Sequence, residues 1–484
     1  MGIVIKQSIQ NTIITYIGFA IGALNTLFLY TNFLTDDYYG LVGFLLSAAT
    51  IMTPLMAFGV HNTLIKFYTS FKSVPEKENF LVLMLYLPLL LIIPVGFIGY
   101  LGYDSIVGFL SKENSIIENY VWTIYLIAVT MAYFEIFYAW VKVKMQSVFG
   151  NFMREVFHRI VITALLFLVH FKILTVEQFV WSLVGVYFAR AMIMKWYAIR
   201  VKFPKLTFTV PKNLVSILKY SFLIIIAGSI TLVLLDIDKV MIGKYIAIEN
   251  VAYYNVAIFI ATVIAVPARA MNQITYPLTA KFINEKRWKE LKVLYQKSSL
   301  TLFIISGLVF LLIILNIKEL YQILPEEYSK GLFVVILISF SKLLDNLLGI
   351  NNGILYNSDY YRLTILLGVF LAVLTVVLNV VFIPLLGIDG AAIATVISLL
   401  LYSISKIIVV QWKFKIHPFT ATSFKVFLLI TLLTFGFFYW DFSFHPIWNM
   451  VLKSSIITII YFVAVIKARL SEDINDLFVK YFPF

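Results

Sequence analysis

The sequence predicts an all-α polytopic membrane protein with about fourteen transmembrane helices. Of its 484 residues, 61% are apolar and only 13% are charged, whereas soluble globular chains average roughly 45–50% apolar and about 25% charged residues. The mean hydropathy of +0.94 agrees with this composition. Apolar stretches of about 20 residues, the length that a helix needs to cross a bilayer, recur along the whole chain. These figures exclude a disordered chain, a coiled coil and a soluble nucleic-acid-binding protein.

Each predicted span is an apolar run that ends at polar or helix-breaking residues. The fifth and sixth runs join around Lys172, and the thirteenth run is short. In chain order, the predicted spans are residues 9–34, 38–61, 80–103, 116–139, 157–174, 175–198, 217–241, 250–276, 299–317, 331–352, 363–384, 388–410, 424–441 and 446–466.

The basic residues of the connections predict the orientation of the chain. With a cytoplasmic N-terminus, most of the 38 Lys and Arg residues fall on the cytoplasmic side and few on the outer side. We therefore expect a multi-pass protein with both termini in the cytoplasm. The net charge of +13 then reflects topology and attraction to anionic membrane lipids, and it does not indicate a nucleic-acid partner. With no cysteine and five scattered histidines, the sequence predicts no metal site.

Two repeated dipeptides indicate an internal duplication. The repeated pairs are Tyr38-Tyr39 with Tyr253-Tyr254 and Lys66-Phe67 with Lys281-Phe282, at the same offset. The basic stretch 199–216 also divides the first twelve spans into two sets of six, and an even number of spans keeps both repeats in one orientation. The predicted domains are a first six-helix lobe at 1–205, a second six-helix lobe at 206–415, and two further spans with a cytoplasmic tail at 416–484.

Ionisable residues inside spans mark candidate binding positions, because each costs roughly 2.5–3.5 kcal/mol on insertion and normally faces protein or water. Helical spacing places two polar sets on one face of the eighth and tenth spans. These sets are Arg269, Asn272, Gln273 and Tyr276 in the eighth span and Lys342, Asp345, Asn346 and Gly349 in the tenth. They predict a wet cavity. The alternative is that Lys342 and Asp345 pair with each other and only fix the packing of helices.

Carboxylates inside spans are candidates for coupling transport to H⁺ or Na⁺. Glu135, in the inner third of the fourth span, is the only carboxylate expected to be buried in the first half, and it is either such a site or the partner of Lys142. Asp236 lies near the outer end of the seventh span and shares a face with Lys239, so a salt bridge at the membrane surface is the alternative there. Asp345 is the third coupling candidate.

The first two spans carry polar and small residues along one side. In the first span this stripe runs from Asn11 through Gly18 and Gly22 to Asn25. Small residues at helical spacing favour close packing of helices over contact with a ligand. In the second span the stripe ends at His61, a candidate cavity residue near the inner end.

Three stretches resemble one family of membrane proteins. The first is GALNTLFLYTNFLTDDYYGLVGF from Gly22, and the second is the corresponding turn of the second repeat, DIDKVMIGKYIAIENVAYYNVAI from Asp236. The third and most specific is LNVVFIPLLGIDGAAIATVIS from Leu378. With fourteen spans in a six-plus-six-plus-two pattern, the chain resembles the polysaccharide (Wzx-type, O-antigen or capsule repeat-unit) flippases of the multidrug/oligosaccharidyl-lipid/polysaccharide (MOP) exporter superfamily.

The resemblance implies a transporter with no catalytic residue and no cofactor, located in the bacterial cytoplasmic (inner) membrane. It implies two lobes around a cavity that opens alternately to each side. The implied cargo is a polyprenyl-pyrophosphate-linked oligosaccharide, and a polysaccharide polymerase and glycosyltransferases are implied partner enzymes. Because arginine binds phosphate groups as a planar fork, Arg269 is the candidate for the pyrophosphate, with Lys342 of the tenth span deeper in the membrane.

Three alternatives stay open at this stage. A lipid II flippase of the same superfamily typically carries several arginines in its first lobe, and here the first two spans hold none. A cation-coupled small-molecule exporter normally has twelve spans, so the last two predicted spans count against it. A membrane glycosyltransferase or polymerase needs room for a donor or acceptor pocket, and none of the predicted outer loops is long enough.

Overall fold

The computed structural model describes residues 2–202, 211, 213–472 and 474–475. Every regular element in these ranges is helical. In chain order, the main α-helices are α1 (Gly2–Leu24), α2 (Asp36–Met56), α3 (Val60–Phe67), α4 (Val74–Tyr86), α5 (Leu89–Leu101), α6 (Tyr103–Leu110), α7 (Val121–Lys142), α8 (Val148–Phe152), α9 (His158–His170), α10 (Val176–Val201), α11 (Leu214–Tyr245), α12 (Glu249–Thr262), α13 (Val266–Asn284), α14 (Trp288–Ile314), α15 (Ile317–Ile323), α16 (Leu332–Leu347), α17 (Asn351–Tyr356), α18 (Tyr361–Phe414), α19 (Ala421–Phe437) and α20 (Pro446–Lys467).

Eight helices within the described ranges are long and apolar enough to cross a membrane. Seven of them correspond to the predicted first to fourth, eighth, ninth and fourteenth spans. The eighth is a single stretch, Arg362–Phe414, that contains both the eleventh and the twelfth predicted spans. Two further apolar helices, Leu214–Ile230 and Ala421–Phe437, are shorter. The chain is therefore a multi-pass, all-helical membrane protein.

The stretch Arg362–Phe414 bends sharply at Gly387, which separates the predicted eleventh and twelfth spans. Gly387 has φ +62° and ψ −137°, a backbone conformation outside the helical region that residues other than glycine rarely adopt. After the bend, Gly390 lies directly on the backbone of Phe382, and a Cβ atom at Gly390 would overlap the Phe382 carbonyl. The two halves of α18 are thus in backbone contact beside the bend.

The chain divides into two compact units, Met1–Asn255 and Val256–Phe484. The predicted boundary between the lobes, at residues 205 and 206, lies outside the described residues. In the first unit, a core of buried apolar side chains joins α3, α4, α7 and α10, with Phe80, Phe134 and Trp140 among its largest fully buried members. This core fixes the helices that carry the charged side chains of the unit.

The small-residue stripe of α1 packs against α8 and α9. Asn11 donates a hydrogen bond to Ser147 Oγ at 2.9 Å, and Asn25 donates to the carbonyl of Arg159 at 3.0 Å. A Cβ atom at Gly22 would lie 3.3 Å from Nε of Arg159, so the glycines let the arginine side chain lie along the helix. The packing role expected for this stripe is what the structure shows.

In the second unit, α19 and α20 pack onto α14 and α15 through an apolar core that includes Phe303, Ile430, Ile457 and Tyr461. Beyond this core, Lys453 of α20 is 2% exposed and contacts Glu319 of α15 at 3.3 Å. Lys453 also donates a hydrogen bond of 2.7 Å to Asp441 in the loop before α20, and this bond lowers the pKa of the Asp441 carboxyl group. A buried lysine bridging two carboxylates therefore anchors the last helix.

Candidate functional site

The first unit holds an ion pair between α7 and the π-helical turn Met153–Phe157 that precedes α9. Arg154 donates from Nε to Oε1 of Glu135 at 3.0 Å, and its Nη2 donates to Oε2 of the same carboxylate. This two-point geometry is the strongest form of arginine–carboxylate contact. Lys142, the partner of Glu135 in one of the two alternatives, lies over the ring of Tyr138 with its Nζ 3.8 Å from the ring centre. The neighbour of Glu135 thus comes from another helix.

Two more arginines lie near this pair. Arg159 of α9 contacts Glu155 at 3.7 Å, and its side chain is about one quarter exposed. Arg190 of α10 is 7% exposed, and its guanidinium lies 4.2 Å from the ring centre of Phe134 and 4.7 Å from that of Tyr187. Arg190 is within electrostatic range of Glu135, Arg154 and Glu155. We call this set the basic cluster: Lys142, Arg154, Arg159, Arg190, Glu135 and Glu155.

The basic cluster contains four basic groups and two carboxylates. Its positive charges therefore exceed its negative ones by two. Burying an excess charge is costly unless an opposite charge accompanies it. Nε of Arg190 is buried and makes no hydrogen bond to the described residues. The arrangement is suited to a ligand with about two negative charges and several acceptor oxygens.

Two histidines border the basic cluster. His61, predicted as a cavity residue, lies in the first turn of α3 and interacts electrostatically with Glu135, Arg154 and Lys142. His158 of α9 lies near Tyr187, with ring centres 6.0 Å apart. The Nδ1 atoms of both histidines are buried without a hydrogen-bond partner among the described residues. Each therefore has a nitrogen free to contact a bound group.

The polar stripe of α13 is only partly enclosed. Arg269 is exposed, and no hydrogen bond or ion pair of its side chain occurs within the described ranges. Asn272 is half-buried, and its Oδ1 is buried without a partner in the described structure. The side chain of Gln273 lies outside the described residues. Arg269 is thus accessible.

Lys342 and Asp345 of α16 do not pair with each other. Asp345, whose side chain is 47% exposed, contacts Nζ of Lys406 at 3.6 Å, and Lys406 is 2% exposed in the second half of α18. Lys406 also donates a hydrogen bond of 3.1 Å to Oδ1 of Asn352. Lys342 is half-buried. The alternative of a structural Lys342–Asp345 pair is therefore wrong, and a different lysine holds the carboxylate.

Two other predicted residues take part in packing. Asn346 is buried and donates from Nδ2 to the carbonyl of Ile264 at 2.7 Å and to Ser306 Oγ at 2.8 Å. Asp236 accepts hydrogen bonds from Lys239 at 2.6 Å and from Ser47 at 3.0 Å. The salt bridge considered as the alternative for Asp236 is thus present. Both residues join helices within their own unit.

The residues that sequence reasoning missed are Arg154, Arg159, Arg190 and Lys406. All four lie at or near the cytoplasmic ends of predicted spans, where the positive-inside rule accounts for basic residues as topology signals. Arg159, Arg190 and Lys406 fall within the bounds of predicted spans. A separate count of basic residues inside those bounds would have identified these three as intramembrane charges.

The chain is similar to a known protein family and to several solved structures. A family model described as "Polysaccharide biosynthesis protein" matches residues 4–283. No curated protein sequence matches the chain significantly. The fold is similar to that of the lipid II flippase MurJ in its inward closed conformation, with a TM-score of 0.77 and 14% identity over 96% of this chain and 99% of that chain.

Two further solved structures share the fold. An inward-facing multidrug resistance MATE family transporter of the MOP superfamily matches with a TM-score of 0.60 and 13% identity, over 86% of this chain and 94% of that chain. A MOP superfamily transporter from Pyrococcus furiosus matches with a TM-score of 0.58 and 12% identity, over 89% and 96% of the two chains. At these identities the comparisons establish the fold.

Proposed function

Because this chain belongs to the polysaccharide biosynthesis protein family and has the fold of MOP superfamily transporters, we propose that it is a flippase for a polyprenyl-pyrophosphate-linked oligosaccharide. The cargo moves from the cytoplasmic to the outer leaflet of a bacterial inner membrane by alternating access. The observation that carries this proposal is the basic cluster of the first unit, whose two excess positive charges match the pyrophosphate group.

The proposal includes the membrane topology. Fourteen transmembrane helices form two six-helix lobes and a last pair, and both termini lie in the cytoplasm. Each predicted span falls on a helix in the structure, with the fifth, sixth and tenth spans on α9, α10 and α16. In this topology the basic cluster faces the cytoplasmic side, where the lipid-linked substrate is made. Anionic lipids, a polysaccharide polymerase and glycosyltransferases are proposed partners.

Arg190 gives the sharpest test, because it is buried and has no carboxylate of its own within ion-pair distance in the described structure. The assay is translocation of a fluorescent lipid-linked oligosaccharide in proteoliposomes. We expect Arg190→Gln to reduce translocation at least tenfold and Arg190→Lys to recover part of it. Arg200→Gln is the matched control, since Arg200 lies on the same helix and stacks on Trp196 at 3.6 Å. Equal activity of Arg190→Gln and Arg200→Gln would refute the proposed site.

Arg269, in the second unit, is proposed separately as a contact for the pyrophosphate. Its exposed side chain is available without rearrangement of its own unit. We expect Arg269→Ala to abolish translocation while the protein still inserts and folds, because no ion pair of the described structure depends on it. Full translocation activity of Arg269→Ala in the same proteoliposomes would remove this role.

Lipid II is a specific second candidate for the cargo. The fold match to MurJ supports it, and the arginines absent from the first two spans are supplied by α9, α10 and the turn before α9. The argument against this candidate is therefore weaker than the sequence suggested. Purified lipid II and the lipid-linked oligosaccharide of the host can compete for translocation in the same proteoliposomes. The lipid that is translocated in preference to the other is the better candidate for the cargo. A drug-efflux assay in a sensitised host tests the third candidate, a cation-coupled exporter.

The three carboxylates proposed for coupling each contact a basic side chain: Glu135 with Arg154, Asp236 with Lys239 and Asp345 with Lys406. A carboxylate that already has a cationic partner binds H⁺ or Na⁺ less readily. We therefore propose that translocation proceeds without a gradient of either ion. Translocation that stops when the pH and Na⁺ concentrations are equal on both sides of the proteoliposome membrane would contradict this.

A further inference from the structure

The second unit contains a polar and aromatic cluster that the pyrophosphate site does not use. Four helices build it: Tyr276 comes from α13, Asp345 from α16, Tyr356 from α17, and Tyr402 and Lys406 from α18. Tyr276 and Tyr402 each lie within electrostatic range of Asp345 and Tyr356. We call these five residues the tyrosine cluster.

The helices approach closely at this cluster. Gly353, in α17, lies against the ring of Tyr276, where a Cβ atom would be 2.9 Å from the nearest ring carbon. Tyr276, of the polar stripe predicted for the eighth span, therefore packs against α17 at this point. Tyr356 is 53% exposed, and the Asp345 side chain is 47% exposed. The cluster thus presents an aromatic ring and a carboxylate on an accessible surface.

Lys406 fixes the orientation of the carboxylate. Its Nζ is buried, contacts Oδ1 of Asp345 and Oδ1 of Asn352, and lies 4.4 Å from the ring centre of Tyr402. Since the ammonium group is enclosed by these partners, it is not available to an anion. The accessible charge of the cluster belongs to Asp345, which repels phosphate. The chemistry of the cluster therefore favours a ligand that donates hydrogen bonds and carries no negative charge at this point.

Sugars have this chemistry. A carboxylate has acceptor sites for several hydroxyl donors, and the Asp345 side chain is 47% exposed. Aromatic side chains in binding sites supply an apolar contact surface, which suits the C–H face of a pyranose ring. We propose that the tyrosine cluster binds a sugar residue of the transported lipid-linked oligosaccharide, with Lys406 as the residue that positions Asp345. This inference rests on the proposed flippase function and adds the site that recognises the glycan.

The test compares two lipids that differ only in the sugar. Binding of the lipid-linked oligosaccharide extracted from the host and of sugar-free undecaprenyl pyrophosphate is measured with the purified full-length protein in nanodiscs. Tyr356→Ala and Asp345→Asn are expected to weaken binding of the sugar-bearing lipid about ten- to hundredfold, the range for hydrogen bonds to a charged group. Binding of the sugar-free lipid is expected to stay unchanged.

Controls separate a sugar site from a structural role. Tyr439→Ala removes an aromatic ring that is 84% exposed and distant in sequence from the cluster, so it should bind both lipids like the unmodified protein. Tyr356→Phe keeps the ring and should retain most of the sugar-dependent binding. Equal weakening for both lipids, or no weakening for either, would overturn the sugar site. If the unmodified protein binds neither lipid, the flippase proposal itself fails, which is a different result.

Discussion

Glu135 accepts two hydrogen bonds from Arg154, and both side chains keep some contact with solvent, at 21% and 38% exposure. An ion pair of this kind gains from its fork geometry and loses from desolvation. The loss of one partner therefore costs more than the pair contributes, because it leaves a charge in a poorly solvated place. In the basic cluster this effect is larger, since the remaining charge would join an existing positive excess.

We expect Glu135→Gln to lower the free energy of unfolding by about 1–3 kcal/mol, below the ~3–5 kcal/mol for fully buried pairs because Arg154 still reaches solvent. Thermal unfolding in detergent measures the change. The looser Glu155–Arg159 contact of 3.7 Å supplies the comparison, and Glu155→Gln should cost less. The double variant Glu135→Gln/Arg154→Gln should recover part of the loss. A Glu135→Gln protein as stable as the unmodified one would contradict this account.

The residue contacts also show which ion-pair partners can be identified from the sequence and which cannot. Partners within one helix are visible as spacing, and the pairing of Asp236 with Lys239, three residues apart, was anticipated in that way. Glu135 and Asp345 pair across helices, with Arg154 and Lys406, and no spacing rule identifies such partners. Their nearest basic neighbours in sequence, Lys142 and Lys342, were the natural candidates and are not the partners. Tertiary packing decides which cation reaches each carboxylate.

At the scale of helices, the apolar runs located the elements well. Helix α18 bends at Gly387, between the predicted spans 363–384 and 388–410, because glycine there allows a conformation that ends the first helix. By contrast, no pattern of hydrophobicity predicts the π-helical turns Asn25–Leu29 and Met153–Phe157. The second of these turns carries Arg154. The turn that carries the main ion pair was thus not predictable.

Gly387→Ala should destabilise the protein by about 1–3 kcal/mol, because an alanine at φ +62° and ψ −137° is strained. The melting temperature in detergent reports the loss. Gly436→Ala is the matched control: Gly436 lies in the last turn of α19, and a Cβ atom there meets nothing within 4 Å. The control should be neutral or slightly stabilising, as expected for alanine in a helix. Equal melting temperatures of the two variants would show that the bend is unstrained for alanine.

The attachment of α20 should depend on pH through Asp441. Since Lys453 lowers the pKa of Asp441, this carboxyl group stabilises the folded protein above its ordinary pKa of 3.8. That contribution is lost as the pH falls through the lowered folded-state pKa. Melting temperatures of the unmodified protein and Asp441→Asn, measured between pH 7 and pH 3, should therefore approach each other in acid. Above the ordinary pKa of 3.8, the unmodified protein should melt at the higher temperature. Parallel curves over the whole range would exclude the proposed contribution.

At the scale of the whole molecule, the proposed topology assigns each connection to one side of the membrane. The chain has no cysteine, so single introduced cysteines can be labelled without a modified background. In the proposed topology Glu285 lies on the cytoplasmic side and Glu327 on the outer side, and both side chains are exposed. A membrane-impermeant maleimide should label Glu327→Cys in intact cells and Glu285→Cys only after permeabilisation. The reverse pattern would invert the topology.

The positive excess of the basic cluster has a consequence for the purified protein. Without its lipid, the protein carries an arrangement of arginines that attracts any small multivalent anion in solution. Sulfate or inorganic pyrophosphate should therefore raise its melting temperature more than chloride does at equal ionic strength. The choice of buffer salt would then decide whether a preparation survives long enough for its cargo to be identified.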